Sequence, residues 1–215
     1  MQEALARRRL TRVESRAQTR ERLLEAAFAV FARDGIEAAS IEEIAEAAGY
    51  SRGAFYSNFE SKDDLLLALL GRKMEEAKEN IAAILGDNLR PDQIIERIRE
   101  YYVNLASDNQ HCTFALAVQL HSLQNPEIRP RVAEWLKRDR ELVIEQTRDV
   151  YAAIGKEPPY SAEIVALGLI SISQGLGLTQ AIDPTQVPPD LLALALETLF
   201  NRVAGLDEIK ASQPC

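Results

Sequence analysis

Residues 52–57 include four that are polar or lack a side chain, and a short helix would leave these four exposed. The helix is expected to begin after Ser51, with Phe55 and Phe59 pointing to the interior because they lie four residues apart. The opposite face then presents Arg52, Gly53, Tyr56 and Ser57. An arginine near a helix N-terminus can make bidentate hydrogen bonds to guanine, and a glycine lets a backbone approach the floor of a groove. These residue types favour DNA recognition, whereas a solvated surface charge is the alternative for Arg52.

Helical patterns on both sides would position this face. Ser40 and Glu43 form a capping box that starts one helix, and Gly49 supplies the sharp turn after it. Ser61 starts a much longer helix on the other side. Lys62, in the first turn of that helix, is poorly placed for the helix dipole but well placed to meet a phosphate. The pattern predicts a helix-turn-helix reader with a long helix leading away from it.

The distribution of charge agrees with this prediction better than its sum does. A net charge of -8 would argue against a nucleic-acid partner. Residues 1–22, however, hold seven arginines against three acids, and residues 1–62 hold ten basic and ten acidic side chains. The whole deficit therefore lies beyond residue 62. We predict a basic arm over residues 1–15, which is either a DNA contact or a solvated tail.

Several classes of protein are disfavoured. Two cysteines are too few for a disulfide framework, so a reducing cytoplasm is expected. The arginine-rich start has no apolar run behind it and is not a secretory signal. The most apolar stretch, residues 164–182, is interrupted by polar residues such as Ser171 and Gln174 and is expected to fall short of a membrane span.

Catalytic and metal-binding patterns are missing as well. No glycine-rich phosphate loop follows a strand pattern, and no nucleophile elbow is present. His111 and Cys112 are adjacent, and His121 lies too far along the same helix to share a metal with them. We therefore predict that the chain is not an enzyme and holds no metal and no cofactor.

The chain beyond residue 86 shows one helical pattern after another and no strand pattern. A helix is expected to open at Pro91, and another to run from Cys112 to Leu123. The next is expected to start at Asn125 and to kink at Pro130. These helices gather aromatic and amide side chains that suit an apolar pocket for a small effector, although ordinary core packing explains each of them as well: Tyr101, Tyr102, Phe114, Gln119, His121, Trp135 and Gln146.

The last two helices, predicted over residues 161–181 and 189–204, are apolar nearly all round. A helix without a polar face must be buried on two sides. Small residues such as Gly175 and Gly177 would allow a neighbour to pack closely. We predict that these two helices form a homodimer interface with a second copy of the chain; a fully intramolecular core is the alternative.

Residues 16–70 resemble the DNA-binding domain of the TetR family of transcriptional repressors, and SRGAFY is especially similar to its AcrR-like branch. Six residues fall at the spacing of the family: Ala45, Gly49, Phe55, Tyr56, Phe59 and Lys62. The resemblance implies that Tyr56 and Lys62 hold DNA phosphates and that exposed residues of the third helix read bases. Asn58 departs from the histidine that the family often has. Further DNA contacts are expected from Ser40, Ser51 and Arg20.

The predicted protein is all-α, with three N-terminal helices in a helix-turn-helix domain over residues 16–60. A larger helical domain for ligand binding and dimerisation is predicted over residues 61–206, followed by a tail over residues 207–215. The predicted function is a ligand-responsive regulator, most simply a repressor. It would bind a palindromic operator as a homodimer, and a small-molecule effector would release it. The alternative is a helical carrier or enzyme whose N-terminal domain is structural.

Overall fold

The computed structural model describes residues 12–203, and every regular element in that range is an α-helix, as the sequence predicted. Residues 1–11 of the predicted arm and the predicted tail 207–215 lie outside the described residues. The helices in chain order are α1 (Arg12–Asp34), α2 (Ile41–Ala47), α3 (Arg52–Tyr56), α4 (Lys62–Gly86), α5 (Pro91–Ser107), α6 (Asn109–Gln124), α7 (Arg129–Ile154), α8 (Ala162–Ile182) and α9 (Pro189–Val203). Because α1 begins at Arg12, the described end of the predicted arm is helical.

The chain divides into two compact units between Leu69 and Leu70, inside α4. The sequence predicted a boundary at the start of this helix. The first turns of α4 belong to the first unit because their leucines complete its core. The side chains in that core are at most 5% exposed: Leu23, Leu24, Ala27, Val30, Phe31, Ile44, Ala45, Phe55, Phe59, Leu65, Leu66 and Leu69. The helical periodicity of α1 and the four-residue spacing of the two phenylalanines follow from this packing.

Two serine hydroxyls begin the short helices of the first unit. The Ser40 hydroxyl accepts a hydrogen bond from the backbone of Glu43 at 3.1 Å, and the Ser51 hydroxyl accepts one from Ala54 at 3.4 Å. The predicted capping box at Ser40 is only half formed, since the carboxylate of Glu43 pairs instead with Arg33. Gly49 has φ +77° in the turn after α2, a conformation that side chains with a Cβ rarely adopt.

Two helix starts differ from the prediction. The carboxylate of Asp108 accepts hydrogen bonds from the backbone N–H groups of Gln110 and His111. Because of this cap, α6 begins at Asn109 rather than at Cys112. The predicted start of α7 at Asn125 and the predicted kink at Pro130 are wrong. That helix begins at Arg129, and the proline lies in its first turn, where the missing N–H has no partner to lose.

Helix α8 is central to the second unit and packs against α5, α6, α7 and α9. With 21 residues and a mean hydropathy of 1.4, α8 is long and apolar enough to cross a membrane by length and composition. Its polar residues had led to the opposite expectation. Packing on four neighbours accounts for part of this apolarity, since 33% of that stretch is buried. The approach is closest at Gly177, where a Cβ would lie 2.6 Å from the carbonyl oxygen of Ala106 and 2.6 Å from Sγ of Cys112.

Candidate DNA-reading surface and effector cavity

The predicted orientation of α3 is confirmed. Phe55 and Phe59 are at most 1% exposed, and their rings pack together with 5.8 Å between centroids. Five residues on the opposite side are exposed: Ser51, Arg52, Gly53, Tyr56 and Ser57. We call these five residues the α3 face. Tyr56 alone is a large aromatic ring with 47% of its surface exposed, although its edge packs against Phe55. The α3 face is therefore a polar and aromatic strip on a rigid apolar base.

Arg52 is held in place at the centre of the α3 face. Its guanidinium donates a hydrogen bond to the hydroxyl of Tyr56 at 3.3 Å and lies 5.5 Å from the centroid of that ring. It also forms an ion pair with Glu42 of α2. The hydrogen bond to Tyr56 and the charge of Glu42 raise the pKa of Arg52 above its ordinary value. A DNA base that takes the guanidinium would therefore replace Glu42.

Two arginines of α1 tie down the C-terminal end of α3. Arg16 donates to the carbonyl oxygen of Ser57 at 2.9 Å, and Arg20 donates to that of Asn58 at 3.0 Å. The Arg20 guanidinium also stacks 4.2 Å above the centroid of the Phe59 ring. Cations at a helix C-terminus bind its free carbonyl groups. The structure thus gives Arg20 a supporting role, while its predicted DNA contact stays a prediction. The matching role of Arg16 was not predicted.

Lys62 is bound within the first unit. Its ammonium group donates to three carbonyl oxygens in the connection between α1 and α2: those of Ile36 at 2.5 Å, Glu37 at 3.2 Å and Ala39 at 2.9 Å. A lysine has three N–H donors, so these contacts use all of them. Lys62 therefore fastens α4 to this connection. Contact between its ammonium group and a phosphate, which the resemblance implies, would require one of the three bonds to open.

Asn58 and Ser40 complete the predicted surface. The amide nitrogen of Asn58 donates to the carbonyl oxygen of Ala54 at 2.8 Å, and its Oδ1 is buried without a hydrogen-bond partner. The side chain of Asn58 thus faces the protein, at the position where the family often has histidine. Ser40 is exposed at the start of α2, with its hydroxyl oxygen engaged by Glu43.

The second unit encloses a small cavity of about 30 Å³. It lies between α4, α5, α7 and α8 and is lined by Ile81, Ile98, Tyr102, Gln146, Thr147, Val150, Tyr151, Ile154, Val165 and Leu169. Gln146 donates to the carbonyl oxygen of Ala77 at 3.3 Å, which links α7 to α4 beside the cavity. Burial raises the pKa of Tyr151 to about 12, so its hydroxyl stays protonated. We call this space the effector cavity.

Only Tyr102 and Gln146, of the seven predicted pocket residues, line the effector cavity. Tyr101 packs against the surrounding core, and its ring meets that of Tyr102 at 5.4 Å. The other four lie elsewhere. Phe114 is 4% exposed within α6, and Gln119 donates to Gln174 at 3.4 Å.

Of the remaining two, His121 contacts the residue that ends its own helix, and Trp135 links α7 to α4. His121 is 6% exposed, and its Nδ1 lies 3.1 Å from the side-chain nitrogen of Asn125. Trp135 donates its indole N–H to the carbonyl oxygen of Leu70 at 3.0 Å. The indole of Trp135 follows the usual pattern, in which polar atoms in a helical core are bonded to neighbouring backbone. As ligand contacts these residues stay predictions.

The sequence missed most of the lining because it is aliphatic. Residues such as Ile81, Val150 and Leu169 fit a buried helix face, but a buried position shows neither which neighbours it meets nor whether they leave a gap. Thr147 and Tyr151, one helical turn apart on α7, were the available polar signal. No group of three or more histidine, cysteine, aspartate or glutamate side chains comes together within residues 12–203 in a way that could hold a metal ion.

Comparisons with known proteins extend the likeness beyond the first unit. Residues 23–69 match the family model described as bacterial regulatory proteins, tetR family. The nicotine-responsive transcriptional repressor HdnoR of Paenarthrobacter nicotinovorans is 26% identical over 172 residues, 80% of this chain and 88% of that protein. The repressor BepR of Brucella suis is 37% identical over 90 residues, 41% of this chain and 43% of that protein.

The fold is shared with solved structures. A regulator from Saccharomonospora viridis, solved with choline, superimposes with a TM-score of 0.67 and 24% identity, over 86% of this chain and 96% of that one. The matches to named regulators extend well beyond the first unit. They favour a transcriptional regulator over a carrier or an enzyme.

Proposed function

This chain belongs to the TetR family of bacterial transcriptional regulators, and from that premise we propose that it is a repressor that binds a palindromic operator as a homodimer and is released by a small-molecule effector. It acts through DNA binding and not as an enzyme. The α3 face carries the proposal, because it is exposed on a fully buried base and consists of side chains that suit base and phosphate contacts. A bacterial DNA-binding regulator is expected in the cytoplasm.

Gly53 supports groove entry by α3. A Cβ added there would meet nothing closer than the Ser51 hydroxyl at 3.7 Å, and its φ is not positive, so neither packing nor backbone conformation requires glycine. Glycine in a helix interior costs about 1 kcal/mol relative to alanine. A residue that the fold does not need, at an exposed position between Arg52 and Tyr56, is explained by close approach of another molecule. In this proposal that molecule is DNA.

The proposed dimer interface lies on α8 and α9. Large aliphatic side chains on these helices are 39–76% exposed although the helices pack against each other: Ile164, Leu167, Ile182, Leu191, Leu194 and Leu199. Exposed large apolar side chains on adjacent helices are typical of a protein interface. Two readers in a dimer, about 34–36 Å apart, would contact successive major grooves on one side of DNA.

The size of the effector cavity implies how release would work. About 30 Å³ has room for little more than one water molecule, whereas sites for small organic ligands enclose about 300 to 1,000 Å³. An effector must therefore open the cavity by separating the helices that line it. Ile81 of α4 is one of the lining residues, and α4 begins in the first unit. A pose of α4 favoured by the effector would disfavour DNA binding if the coupling reached about 1–3 kcal/mol.

Selection from random double-stranded DNA tests the reader. We expect enrichment of a near-palindrome, and Arg52→Ala is expected to relax base preference at one position of each half-site. Gly53→Ala is the sharper variant. It should keep or raise the thermal stability of the protein and weaken operator binding about tenfold or more, since a methyl group would separate α3 from the groove floor. If Gly53→Ala bound the operator as tightly as the wild type, α3 would not enter the groove.

Light scattering tests the interface. The wild type is expected to be a dimer at micromolar concentration, and Leu194→Glu should give a folded monomer because this side chain is 60% exposed in the single chain. Leu136→Glu is the matched control, since Leu136 is 43% exposed on α7, outside the proposed interface. A monomeric wild type, or equal effects of the two substitutions, would contradict the interface on α8 and α9.

A further inference from the structure

Asp139 differs from the other charged residues of α7. The other charged side chains of this helix are exposed, and some of them form ion pairs: Lys137 with Glu141 at 4.0 Å, Arg138 with Glu134 at 3.2 Å, and Arg148 with Glu163 of α8 at 2.6 Å. The carboxyl group of Asp139 is partly buried, and within residues 12–203 it forms neither a hydrogen bond nor an ion pair. Burial raises the pKa of Asp139. A carboxyl group that burial partly removes from water and that has no protein partner can attract a cationic ligand.

Two tyrosines of α5 lie within the electrostatic range of Asp139. The rings of Tyr101 and Tyr102 meet edge to face, with 5.4 Å between centroids and 78° between planes. Burial raises the pKa of both hydroxyls, and the charge of Asp139 raises them further. Glu76 also acts on Tyr101, but its own carboxylate is occupied by Arg72 at 2.9 Å and Lys73 at 3.1 Å. The neighbourhood therefore combines aromatic rings with one unpaired acid.

The tyrosine pair joins Asp139 to the effector cavity. Tyr102 lines that cavity, and so does Gln146, which follows Asp139 by seven residues on α7. Seven residues are close to two turns, so both side chains lie on one face of the helix, about 10 Å apart along its axis. Most of the remaining lining is aliphatic, with Ile98 and Leu169 as examples. From one end to the other, the site offers a carboxylate, two aromatic rings and an apolar space.

This order of groups fits an organic cation better than a neutral or anionic molecule. A carboxylate attracts an ammonium ion, and tyrosine ring faces add a cation–π attraction. A neutral ligand would leave the carboxylate of Asp139 unpaired and would remove more water from it. The neutral ligand would therefore bind more weakly than a cation. An anion would be repelled by it.

We propose that the effector is an organic ammonium ion, which pairs with Asp139, packs against Tyr101 and Tyr102, and places its apolar part in the effector cavity. The proposal rests on the function proposed above and names the chemical class of its effector. Asp139 gives the charge preference, and opening of the aliphatic part of the cavity gives the coupling to α4.

The test uses two cations, each matched to a neutral molecule in which carbon replaces the charged nitrogen. Choline is compared with 3,3-dimethylbutan-1-ol, and benzyltrimethylammonium with 2,2-dimethylpropylbenzene. Binding to the full-length dimer is measured by calorimetry, and release is measured on the selected operator. We expect at least one cation to bind about tenfold or more tightly than its neutral partner and to release the operator. Asp139→Asn should abolish that preference by weakening the binding of the cation, while the neutral molecule binds as tightly as before or more tightly.

Asp149→Asn is the matched control, because it removes the same charge from an exposed position on the same helix. It should keep the full cation preference. The thermal stability of Asp139→Asn should equal or exceed that of the wild type, so that loss of binding is not loss of folding. Absence of cation binding in both pairs, or a cation preference that survives Asp139→Asn, would overturn the proposal. Operator binding without ligand tests the repressor separately: if it persists and only neutral or anionic compounds release the DNA, the repressor stands and the cation site falls.

Discussion

The first unit carries its proposed functional residues on its surface, whereas the second unit carries them in its core. In the first unit, Phe55 and Phe59 fill the interior, and the α3 face is what remains outside. In the second unit, the effector cavity lies inside the core, among side chains such as Ile98 and Val165 that also hold the helices together. The proposed DNA contacts of the first unit come from residues that do not take part in core packing. The proposed effector contacts of the second unit come from residues that do.

This difference determines how substitutions should act. On the α3 face, a change can alter DNA binding and leave folding intact, as proposed for Gly53. Around the effector cavity, a change in volume is felt by the fold as well, because interiors are close-packed. Substitutions in each unit test this contrast, and their expected effects on stability and on DNA binding differ in size.

The largest effect is expected at the helix crossing in the second unit. Gly177→Ala would place a Cβ 2.6 Å from a backbone oxygen of Ala106 and from Sγ of Cys112, so α8 must move away from α5 and α6. We expect a loss of about 3 kcal/mol in the free energy of unfolding, measured by urea denaturation. Gly71→Ala in α4 is the control, since nothing lies within 4 Å of its added Cβ, and it should be neutral or stabilising by up to about 1 kcal/mol. Equal stabilities for the two variants would show that the core of the second unit tolerates added volume.

The same contrast explains what could be predicted from the sequence. Capping serines, the turn glycine Gly49 and the spacing of two phenylalanines are local signals, so the helices of the first unit and the orientation of α3 followed from them. The contacts of Lys62 with the connection before α2 could not be predicted, because their partners are backbone carbonyls more than twenty residues away.

The effector cavity was harder to predict for a related reason. Periodicity identified the buried faces of α5 and α7 but not which of them meet around a gap. Trp135 and His121 were chosen as pocket residues for their polar atoms, and those atoms are bonded to neighbouring parts of the fold. Asp139, between charged neighbours in sequence, is distinguished from them by its burial.

An intermediate effect is expected at Lys62, where the resemblance and the structure imply different roles. Lys62→Met removes three hydrogen bonds from an ammonium group to backbone carbonyls of the connection before α2. We expect a loss of about 2 kcal/mol in the free energy of unfolding, read by urea denaturation without DNA. Lys78→Met on the same helix, where the lysine is 61% exposed, should have little effect. If Lys62→Met were as stable as Lys78→Met yet bound DNA more weakly, the ammonium group would act on phosphate, and the α3 face would extend to α4.

The smallest effect is expected at Glu42. It tests whether the ion pair with Glu42 orients Arg52 for DNA binding or keeps Arg52 from binding DNA. The ion pair with Glu42 orients Arg52, but it also occupies the guanidinium that a base would take and places a negative charge beside the DNA. Glu42→Gln should therefore tighten operator binding roughly threefold at low salt. Glu46→Gln removes the same charge one turn along the exposed side of α2 without a bond to Arg52.

Fluorescence anisotropy with labelled operator separates the two contributions. If Glu46→Gln tightens binding as much as Glu42→Gln does, the gain is general electrostatics. A larger gain for Glu42→Gln, together with unchanged base preference, would mean that the pair restrains Arg52 before DNA arrives. Weaker binding or relaxed base preference in Glu42→Gln alone would mean that the pair prepares Arg52 for the base, because a guanidinium without its acid would have lost its orientation. Either of the last two outcomes would locate specificity in the contact between Glu42 of α2 and Arg52 of α3.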